Sequence, residues 1–144
     1  MTVNKILRTK GAEVYSVIST ITVFEALRVM GEKNIGAILV IEDGALKGIL
    51  SERDYARKIV LKDKSSKKTP VNEIMESEVV TVKPSDNLEF CMELMSGKRI
   101  RHLPVIENDL IIGLVSIGDV VKSIIEKQKE TIQLLDSYIN GTQS

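Results

Sequence analysis

Short runs of alternating apolar and polar residues are interspersed along this chain with longer segments in which apolar residues recur every three or four positions. The alternating runs predict strands. In the first half these are Val14–Ile18, Ala37–Ile41 and Leu46–Leu50. The last two are joined across Asp43-Gly44, a dipeptide typical of hairpin turns. The longer segments predict two helices, one after Thr22 and one near Ser51.

The second half of the chain repeats the first. Residues 14–60 align on residues 79–125 without a gap at an offset of 65, and twelve positions are identical, where chance would give roughly three or four. The predicted strands of this half are Val79–Lys83, His102–Ile106 and Leu110–Val115. Its helices begin at Asp86, which has capping-box spacing with Glu89, and near Ser116. The order β-α-β-β-α therefore occurs twice, and each copy needs its twin to cover its apolar face.

A short apolar turn opens each copy. Val3–Leu7 and Val71–Met75 match at an offset of 68, so the first copy carries three extra residues around Lys10-Gly11-Ala12. The charged segment Lys62–Thr69 separates the copies. These limits predict a first repeat at 3–63, a linker at 64–70, a second repeat at 71–127, and an extended C-terminal helix and tail at 128–144.

The last helix overruns its repeat, because its apolar stripe continues well past the point where the counterpart stops. The stripe consists of Val121, Ile124, Ile125, Gln128, Ile132, Leu135 and Ile139. An exposed stripe of this length would favour aggregation. We therefore expect a homodimer in which a second copy of the chain covers it.

Composition excludes several classes of function. Lysine and arginine balance aspartate and glutamate, 20 against 20, and tryptophan is absent, which argues against nucleic-acid binding and against attraction to an anionic membrane. No apolar run reaches the ~18 residues that span a bilayer. Cys91 and His102 are the only cysteine and histidine, so we expect no disulfide within the chain, no metal site and a reducing, cytoplasmic setting.

Each copy closes with a strand that runs into a helix, and serine and aspartate lie three residues apart at the junction. These segments are Gly48–Asp54 and Gly113–Asp119. One interpretation is a pair of helix caps. The other is a nucleotide pocket, in which the helix N-terminus faces phosphate and the carboxylate accepts the hydroxyls of a ribose. Duplication at identical spacing favours the pocket, and both interpretations can hold together.

The repeat order, the closing Gly-x-x-Ser-x-x-Asp and the strand Arg101–Val105 together resemble a pair of CBS domains, the Bateman module. The resemblance covers residues 3 to about 127, and Ser51–Lys58 is similar to a segment of small stand-alone two-CBS-domain proteins. It implies an α+β fold of tandem β-α-β-β-α repeats, packed through their sheets about a pseudo-twofold axis. It also implies two clefts for adenine nucleotides such as AMP, ADP, ATP, NAD or S-adenosylmethionine.

The resemblance assigns residues to both clefts. The first, here the Asp54 cleft, would contain Ser51, Arg53, Asp54, Met75, Val80, Ile100, Arg101, His102 and Pro104. The second, here the Asp119 cleft, would contain Ser116, Asp119, Leu7, Tyr15, Ile35, Gly36 and Ala37. The aspartates would hold ribose and the apolar strand residues would sandwich adenine. The two arginines and the histidine of the first cleft would meet phosphate.

The two expected clefts differ in charge. Arg101-His102 of the second copy corresponds to Gly36-Ala37 of the first, and Arg53 corresponds to Gly118. We therefore expect the first cleft to prefer the phosphorylated end of a nucleotide. The second would bind weakly, take an uncharged adenosine moiety or stay empty.

Three of the single residues have alternative interpretations. His102 is either a phosphate contact or a half-buried structural histidine. Pro104 lacks a strand donor, which fits an irregular position where a ligand could approach. Cys91 lies on the apolar face of a predicted helix, which favours a place in the core.

The leading hypothesis is a non-enzymatic adenine-nucleotide sensor that signals occupancy to an unidentified protein by changing conformation. A second is a structural or oligomerisation module with vestigial clefts. A third is an enzyme acting on adenine nucleotides. One histidine, one cysteine and no recognisable pair of carboxylates supply little for catalysis, so we expect no catalytic residue and no catalytic cofactor.

Overall fold

The computed structural model describes residues 1–141 and has the mixed α+β fold that the repeat predicts. Its elements in chain order are α1 (Val3–Lys10), β1 (Ser16–Val17), α2 (Val23–Lys33), β2 (Ala37–Glu42), β3 (Ala45–Ser51), α3 (Glu52–Tyr55), α4 (Leu88–Lys98), β4 (His102–Glu107), β5 (Leu110–Ser116) and α5 (Ile117–Ile139). Helix α3 continues as a π-helical turn at Ala56–Val60, and a 3₁₀ turn at Val71–Glu73 opens the second repeat. Residues 142–144 of the predicted tail lie outside the described residues.

Each repeat builds its sheet around one antiparallel hairpin. β2 pairs with β3, and β4 pairs with β5, with the same shift in register after Val40 and after Val105. β1 joins β2 in parallel. The first hairpin turns through positive φ at Asp43 and Gly44, 52° and 76°, which confirms the Asp-Gly prediction.

The strand predicted at Val79–Lys83 is wrong, because this segment makes one parallel bridge to β4, at Val82. The N–H of Val82 donates to the carbonyl of Pro104 at 3.0 Å. Leu39, the counterpart of Pro104 in β2, has an N–H that can continue such pairing, whereas proline has none. The proline therefore limits this side of the second sheet.

Side-chain oxygens cap the helices. Thr22 accepts the N–H of the third residue of α2 at 3.2 Å, as predicted. The predicted cap at Asp86 is wrong, since Asn87 is the N-cap of α4 and accepts the N–H of Phe90 at 2.8 Å. Asp86 instead accepts the backbone N–H of Lys83 at 2.8 Å and closes the preceding turn.

Each repeat contributes its opening turn to the core of the other repeat. The first core combines Val23, Ala26, Met30, Ile38, Val40, Leu50 and Ile59 with Val71 and Ile74. The second combines Val82, Leu88, Cys91, Met95, Leu103, Val105, Val115 and Val120 with Val3, Ile6 and Leu7. Backbone hydrogen bonds from Val3 to Asp86 and from Asn4 to Pro84 fasten α1 to the second repeat. The two repeats are therefore interlocked, and Cys91 lies in the core as expected.

The linker folds back onto the start of α2. The carbonyls of Thr69 and Ser66 accept the N–H groups of Val23 and Phe24 at 2.9 and 3.0 Å, which satisfies two donors that a helix N-terminus leaves without intrahelical partners. The ammonium of Lys67 lies over the Phe24 ring, 4.9 Å from its centroid. This charged segment therefore has a structural role at α2.

Helix α5 runs unbroken for 23 residues, so the predicted overrun is confirmed. Its first turns pack on the second core through Val120 and Ile124. Beyond Lys127 its apolar side chains are exposed. They are Ile132, Leu134, Leu135, Tyr138 and Ile139.

Candidate functional site

The two serine–aspartate junctions are both capping boxes. The N–H of Ser51 donates to Oδ2 of Asp54 at 3.0 Å, and the N–H of Asp54 donates to Oγ of Ser51 at 3.1 Å. Ser116 and Asp119 repeat this at 2.9 and 3.1 Å. The capping interpretation is confirmed, and each aspartate keeps Oδ1 outside the box.

A cavity of about 470 Å³ opens beside Asp54. It brings together residues from the end of β3, the start of α3, the start of β2, the approach to β4 and the segment after the 3₁₀ turn. They are Gly36, Ile49, Ser51, Glu52, Arg53, Asp54, Glu76, Ile100, Arg101 and His102. Six of the nine residues assigned to the Asp54 cleft thus line one cavity. The lining comes from both repeats.

The other three residues assigned to this cleft lie outside the cavity lining. Met75 packs against the first core and lies directly over Gly48. Val80 packs against the second core. Pro104 is buried within β4, and its carbonyl accepts the N–H of Val82. The backbone edge at which Pro104 lacks an N–H donor therefore faces the neighbouring segment around Val82.

Three residues of the lining were missed from the sequence. Ile49 and Glu76 meet through a pair of backbone hydrogen bonds, both 2.9 Å, that join β3 to the second repeat. Glu52 is the first residue of α3. It lies within the Ser51–Asp54 motif, so that motif could have predicted its place in the cavity lining. Nothing local in the sequence points to Glu76, because pairing between repeats places it there.

Gly36 lies in the Asp54 cavity, although the resemblance assigned it to the other cleft. A Cβ at Gly36 would lie 3.4 Å from Oε1 of Glu52 and 3.8 Å from the imidazole of His102. The carbonyl of Gly36 accepts the N–H of Glu52 at 3.1 Å, and the carbonyl of Arg101 accepts that of Ile117 at 2.9 Å. In each repeat, a backbone hydrogen bond therefore joins the residue just before the hairpin to the first residue of the helix that follows it.

The start of α3 offers fewer backbone donors than expected. The N–H groups of Glu52 and Asp54 are already bonded to the carbonyl of Gly36 and to Oγ of Ser51. Arg53 donates to the carbonyl of Arg99 in the other repeat. An anion in this cavity would therefore be held chiefly by guanidinium groups rather than by the helix terminus.

Charges of both signs line the cavity. Glu52, Asp54 and Glu76 carry carboxylates, and Arg53 and Arg101 carry guanidiniums. Oδ1 of Asp54 also lies 3.2 Å from the ammonium of Lys58, which donates to the carbonyl of Ile74 at 2.9 Å.

The imidazole of His102 is harder to protonate than that of a free histidine. Burial lowers the pKa of its imidazole below the usual 6.5, and the nearby Lys10 and Arg101 lower the pKa further, against an opposing effect of Asp119. The charged groups near His102 come from both junctions: Arg101 lines the Asp54 cavity, and Lys10 pairs with Asp119.

The surroundings of Asp119 contain a lysine that the sequence did not assign to any site. The ammonium of Lys10 donates to Oδ2 of Asp119 at 2.6 Å and to the carbonyl of Leu114 at 2.9 Å. Partial burial alone would raise the pKa of Asp119, but the hydrogen bonds and charge of Lys10, with the bonds from Ser116, lower it. Gly118, Gly36 and Ala37 supply no cation, as expected, and the cation beside Asp119 comes from α1 instead.

The other residues assigned to the Asp119 cleft pack mainly in the cores. Leu7 is buried against Gly113, and Ala37 is buried in β2. Tyr15 and Ile35 pack against the first core. The hydroxyl of Tyr15 donates to Oε2 of Glu13 at 2.7 Å. Within residues 1–141, the polar partners of Asp119 are Lys10 and Ser116, and none of these four side chains is among them.

Cavities also open away from the two junctions. A polar cavity of about 630 Å³ lies between the N-terminus and the β4–β5 turn, and one of about 380 Å³ lies between the starts of α4 and the middle of α5. Within the described residues, no group of three or more metal-ligating side chains occurs. Over the same range, none of the helices is long and apolar enough to cross a membrane.

Comparison with known proteins identifies the repeat. The family model described as the CBS domain matches residues 4–61 and again residues 71–126. The CBS domain-containing protein CBSX3, mitochondrial, of Arabidopsis thaliana is 45% identical over 125 residues, which are 83% of this chain and 61% of that protein. The chain therefore spans less than two thirds of this relative.

Solved structures share the fold. A CBS-domain protein from Burkholderia ambifaria MC40-6 is 47% identical, with a TM-score of 0.85 over 89% of this chain and 96% of that chain. The CBS domain pair of protein MJ0100, solved with 5′-methylthioadenosine and S-adenosyl-L-methionine, is 23% identical, with a TM-score of 0.77 over 88% of this chain and 98% of that chain. The chain belongs to the CBS domain family and carries the domain twice.

Proposed function

We propose that this protein is a regulatory module that binds an adenosine-containing ligand in the Asp54 cavity and signals its presence to a partner protein. The observation that carries the proposal is the composition of that one cavity. Ile49 and Ile100 offer apolar surface, Asp54 offers a carboxylate, and Arg53 and Arg101 offer guanidiniums. Adenine, ribose and phosphate need these three kinds of partner.

The solved neighbour MJ0100 supports the choice of ligand class. That domain pair was solved in complex with two adenosine compounds, and its likeness to this chain is one of fold. The mixed charge of the cavity favours AMP, or an adenosine compound with little net charge, over ATP, because Glu52 and Glu76 would repel added phosphates. ADP, NAD and S-adenosylmethionine remain ligands to test beside AMP.

Binding would act on the relation between the repeats. Residues of both repeats line the cavity, and Arg53 already bridges them through the carbonyl of Arg99. A ligand phosphate that attracts Arg53 would compete with this bridge and favour a different arrangement. A ligand shifts such an equilibrium only by its different affinity for the two states. The signal would be read by a protein partner, and catalysis is not part of the proposal.

Native mass spectrometry of the freshly purified protein, followed by calorimetry with AMP, tests the proposal. We expect Asp54→Ala to weaken AMP binding more than Asp119→Ala does. Asp54→Asn keeps an acceptor for the cap and separates loss of binding from loss of folding. Glu32→Ala, on the exposed side of α2, is the matched control. Equal losses from both aspartates would contradict the ranking, and no binding of any adenosine compound would contradict the function.

An assembly role is the second candidate, and the exposed apolar end of α5 favours it. Ile132, Leu135 and Ile139 are 64, 55 and 77% exposed, and the residues beyond Lys127 lie outside the second core. We propose that this end contributes to a homodimer. Sedimentation of the full chain and of a chain ending at Lys127 tests this, because an unchanged dimer would remove the helix from the interface.

A cytoplasmic compartment stays a prediction. The cysteine content of the sequence favours a reducing setting. The relative CBSX3 is named as mitochondrial. Fractionation of the source cells would decide between the two.

A further inference from the structure

The exposed stripe of α5 has the spacing of a coiled-coil seam. Six of its residues are separated by alternate steps of four and three, and we call them the seam. They are Val121, Ile125, Gln128, Ile132, Leu135 and Ile139. This alternation is the heptad pattern, in which positions a and d face a second helix. Isoleucine occupies each a position, at 125, 132 and 139. The five apolar side chains are 39–77% exposed, so within residues 1–141 the seam is largely uncovered.

Two opposite charges lie beside the seam, on the same side of it. Lys129 and Asp136 both occupy the e position, directly after the d residues Gln128 and Leu135. They are about 10 Å apart along the helix axis, which is too far for them to pair with each other. Within residues 1–141 neither forms an ion pair, and Asp136 accepts a hydrogen bond from the neutral amide of Asn140. Both charges can therefore meet a partner from outside their own helix.

These charges distinguish the two possible orientations of a helix pair. In a parallel pair an e residue faces a g residue of the partner, so Lys129 would meet Ile124 and Asp136 would meet Thr131. In an antiparallel pair e faces e, so Lys129 of one copy meets Asp136 of the other. Symmetry repeats this contact, which gives two opposite-charge pairs in each dimer. Charge complementarity therefore favours the antiparallel pair of two copies of this chain.

We propose that two copies of α5 pair antiparallel over residues 128–139, with Lys129 of each copy against Asp136 of the other. The proposal rests on the assembly role proposed above and names its contacts. In this register Ile132 of one copy packs on Leu135 of the other. The paired segment is the part of α5 that lies beyond the second core, so each helix keeps its first turns on its own domain. Reciprocal contacts close the assembly at two copies.

The same register fills a groove beside α5. The groove has a volume of about 380 Å³. Its lining consists of Met1, Leu88 and Glu89 together with Ile124, Lys127, Gln128, Thr131 and Ile132 of α5. Tyr138 is 86% exposed and occupies a g position. Since g faces g in an antiparallel pair, Tyr138 of the second copy would lie at Ile124 and Thr131, in this groove. A tyrosine in such a groove buries its ring and can keep its hydroxyl at the polar rim.

Sedimentation velocity of full-length charge-reversal variants tests the orientation. Lys129→Glu and Asp136→Lys each place like charges at both contacts, so each should weaken dimerisation about tenfold at low ionic strength. An equimolar mixture of the two variants should regain the wild-type affinity, because both contacts of the heterodimer then join opposite charges. Native mass spectrometry with one variant labelled with ¹⁵N identifies that heterodimer. Glu130→Lys, at an exposed f position, is the matched control and should change nothing.

A second pair of variants tests the groove. Tyr138→Ala should weaken dimerisation about tenfold, as for the truncation of an aromatic anchor. Ser137→Ala, at an exposed f position of the same helix, should leave the dimer unchanged. Equal effects of the two substitutions would overturn the assignment of the groove to Tyr138.

A mixture of the charge-reversal variants that dimerises as weakly as each variant alone would overturn the proposal. An unchanged dimer in both single variants would also overturn it, and the assembly role would then stand with another arrangement. A wild-type chain that remains monomeric would refute the assembly role itself, and with it this proposal. None of these results would alter the case for a ligand in the Asp54 cavity.

Discussion

The Asp54 and Asp119 junctions have the same capping box at the same offset, yet they face different surroundings. A cavity lined by both repeats opens at Asp54, where backbone pairing supports the edge of β3. At Asp119 a lysine from α1 holds both the carboxylate and the edge of β5. A duplicated motif therefore fixes the local turn, and the residues that are not duplicated decide what surrounds it.

The largest predicted contrast concerns the glycines that precede the two junctions. A Cβ at Gly48 would lie 2.7 Å from Sδ of Met75 and 2.9 Å from the backbone carbonyl of Glu76. At Gly113 the nearest atoms are Cδ2 and Cδ1 of Leu7, at 2.5 and 3.2 Å. Since a side-chain end can rotate more easily than a paired backbone, Gly48→Ala should destabilise by about 2–3 kcal/mol and Gly113→Ala by about 1 kcal/mol.

Urea denaturation measures both values. Gly31→Ala is the matched control, because nothing lies within 4 Å of its added Cβ and it is inside α2. It should stabilise by about 0.5–1 kcal/mol. A larger loss at Gly113 than at Gly48 would mean that α1 supports its sheet as rigidly as the backbone of the second repeat supports the first.

The second prediction sharpens the contrast in ligand binding. Arg101→Ala should weaken AMP at the Asp54 cavity about tenfold, the loss of one charged hydrogen bond, and leave adenosine unchanged. Calorimetry with both ligands measures this. Arg28→Ala is the control, since Arg28 pairs with Glu25 on α2. Equal losses for AMP and adenosine would show that Arg101 shapes the cavity and does not contact phosphate.

The third prediction compares the caps. Ser51→Ala and Ser116→Ala should each cost about 1 kcal/mol in the free energy of unfolding. The loss at Ser51 should be larger, because its hydroxyl also lies 3.0 Å from Oδ2 of Asp54. Threonine at either position should restore most of the stability. A threonine variant as unstable as the alanine variant would argue against the cap as the cause.

The smallest predicted effect is on pH dependence. Burial lowers the pKa of His102 below its unfolded value of 6.5, so the unfolded chain binds a proton first as the pH falls. The stability contribution is therefore present above pH 6.5 and is lost as the pH falls from 6.5 toward the lowered pKa, by no more than about 1.4 kcal/mol per pH unit. His102→Gln should flatten this part of the profile of unfolding free energy. A steeper profile would contradict the assignment.

Local patterns predicted most of the fold. The hairpins, the caps at Thr22, Ser51 and Ser116, and the overrun of α5 follow from turn chemistry and periodicity within about ten residues. The strand prediction at Val79–Lys83 failed because the proline that limits it, Pro104, lies in a different part of the sequence, in β4. An alternating pattern within one segment cannot show whether a distant strand has the N–H donors needed to pair with that segment.

The candidate site was harder to predict, since its distinctive members meet across the repeats. Glu76 reaches the cavity through pairing with Ile49, and Gly36 lies there because the two strand starts face each other. Lys10 reaches Asp119 because an insertion lengthens a helix that packs on the other repeat. Repeat alignment compares equivalent positions of the two copies, and it does not show which residues of one copy meet residues of the other.

The exchange of opening turns between the two cores sets an order for folding during synthesis. Helix α1 is synthesised before β4 and β5, the strands of the sheet on which it packs. Its apolar face must therefore wait until both strands have been made. Such distant contacts slow folding, and the waiting helix would be the segment that chaperones shield.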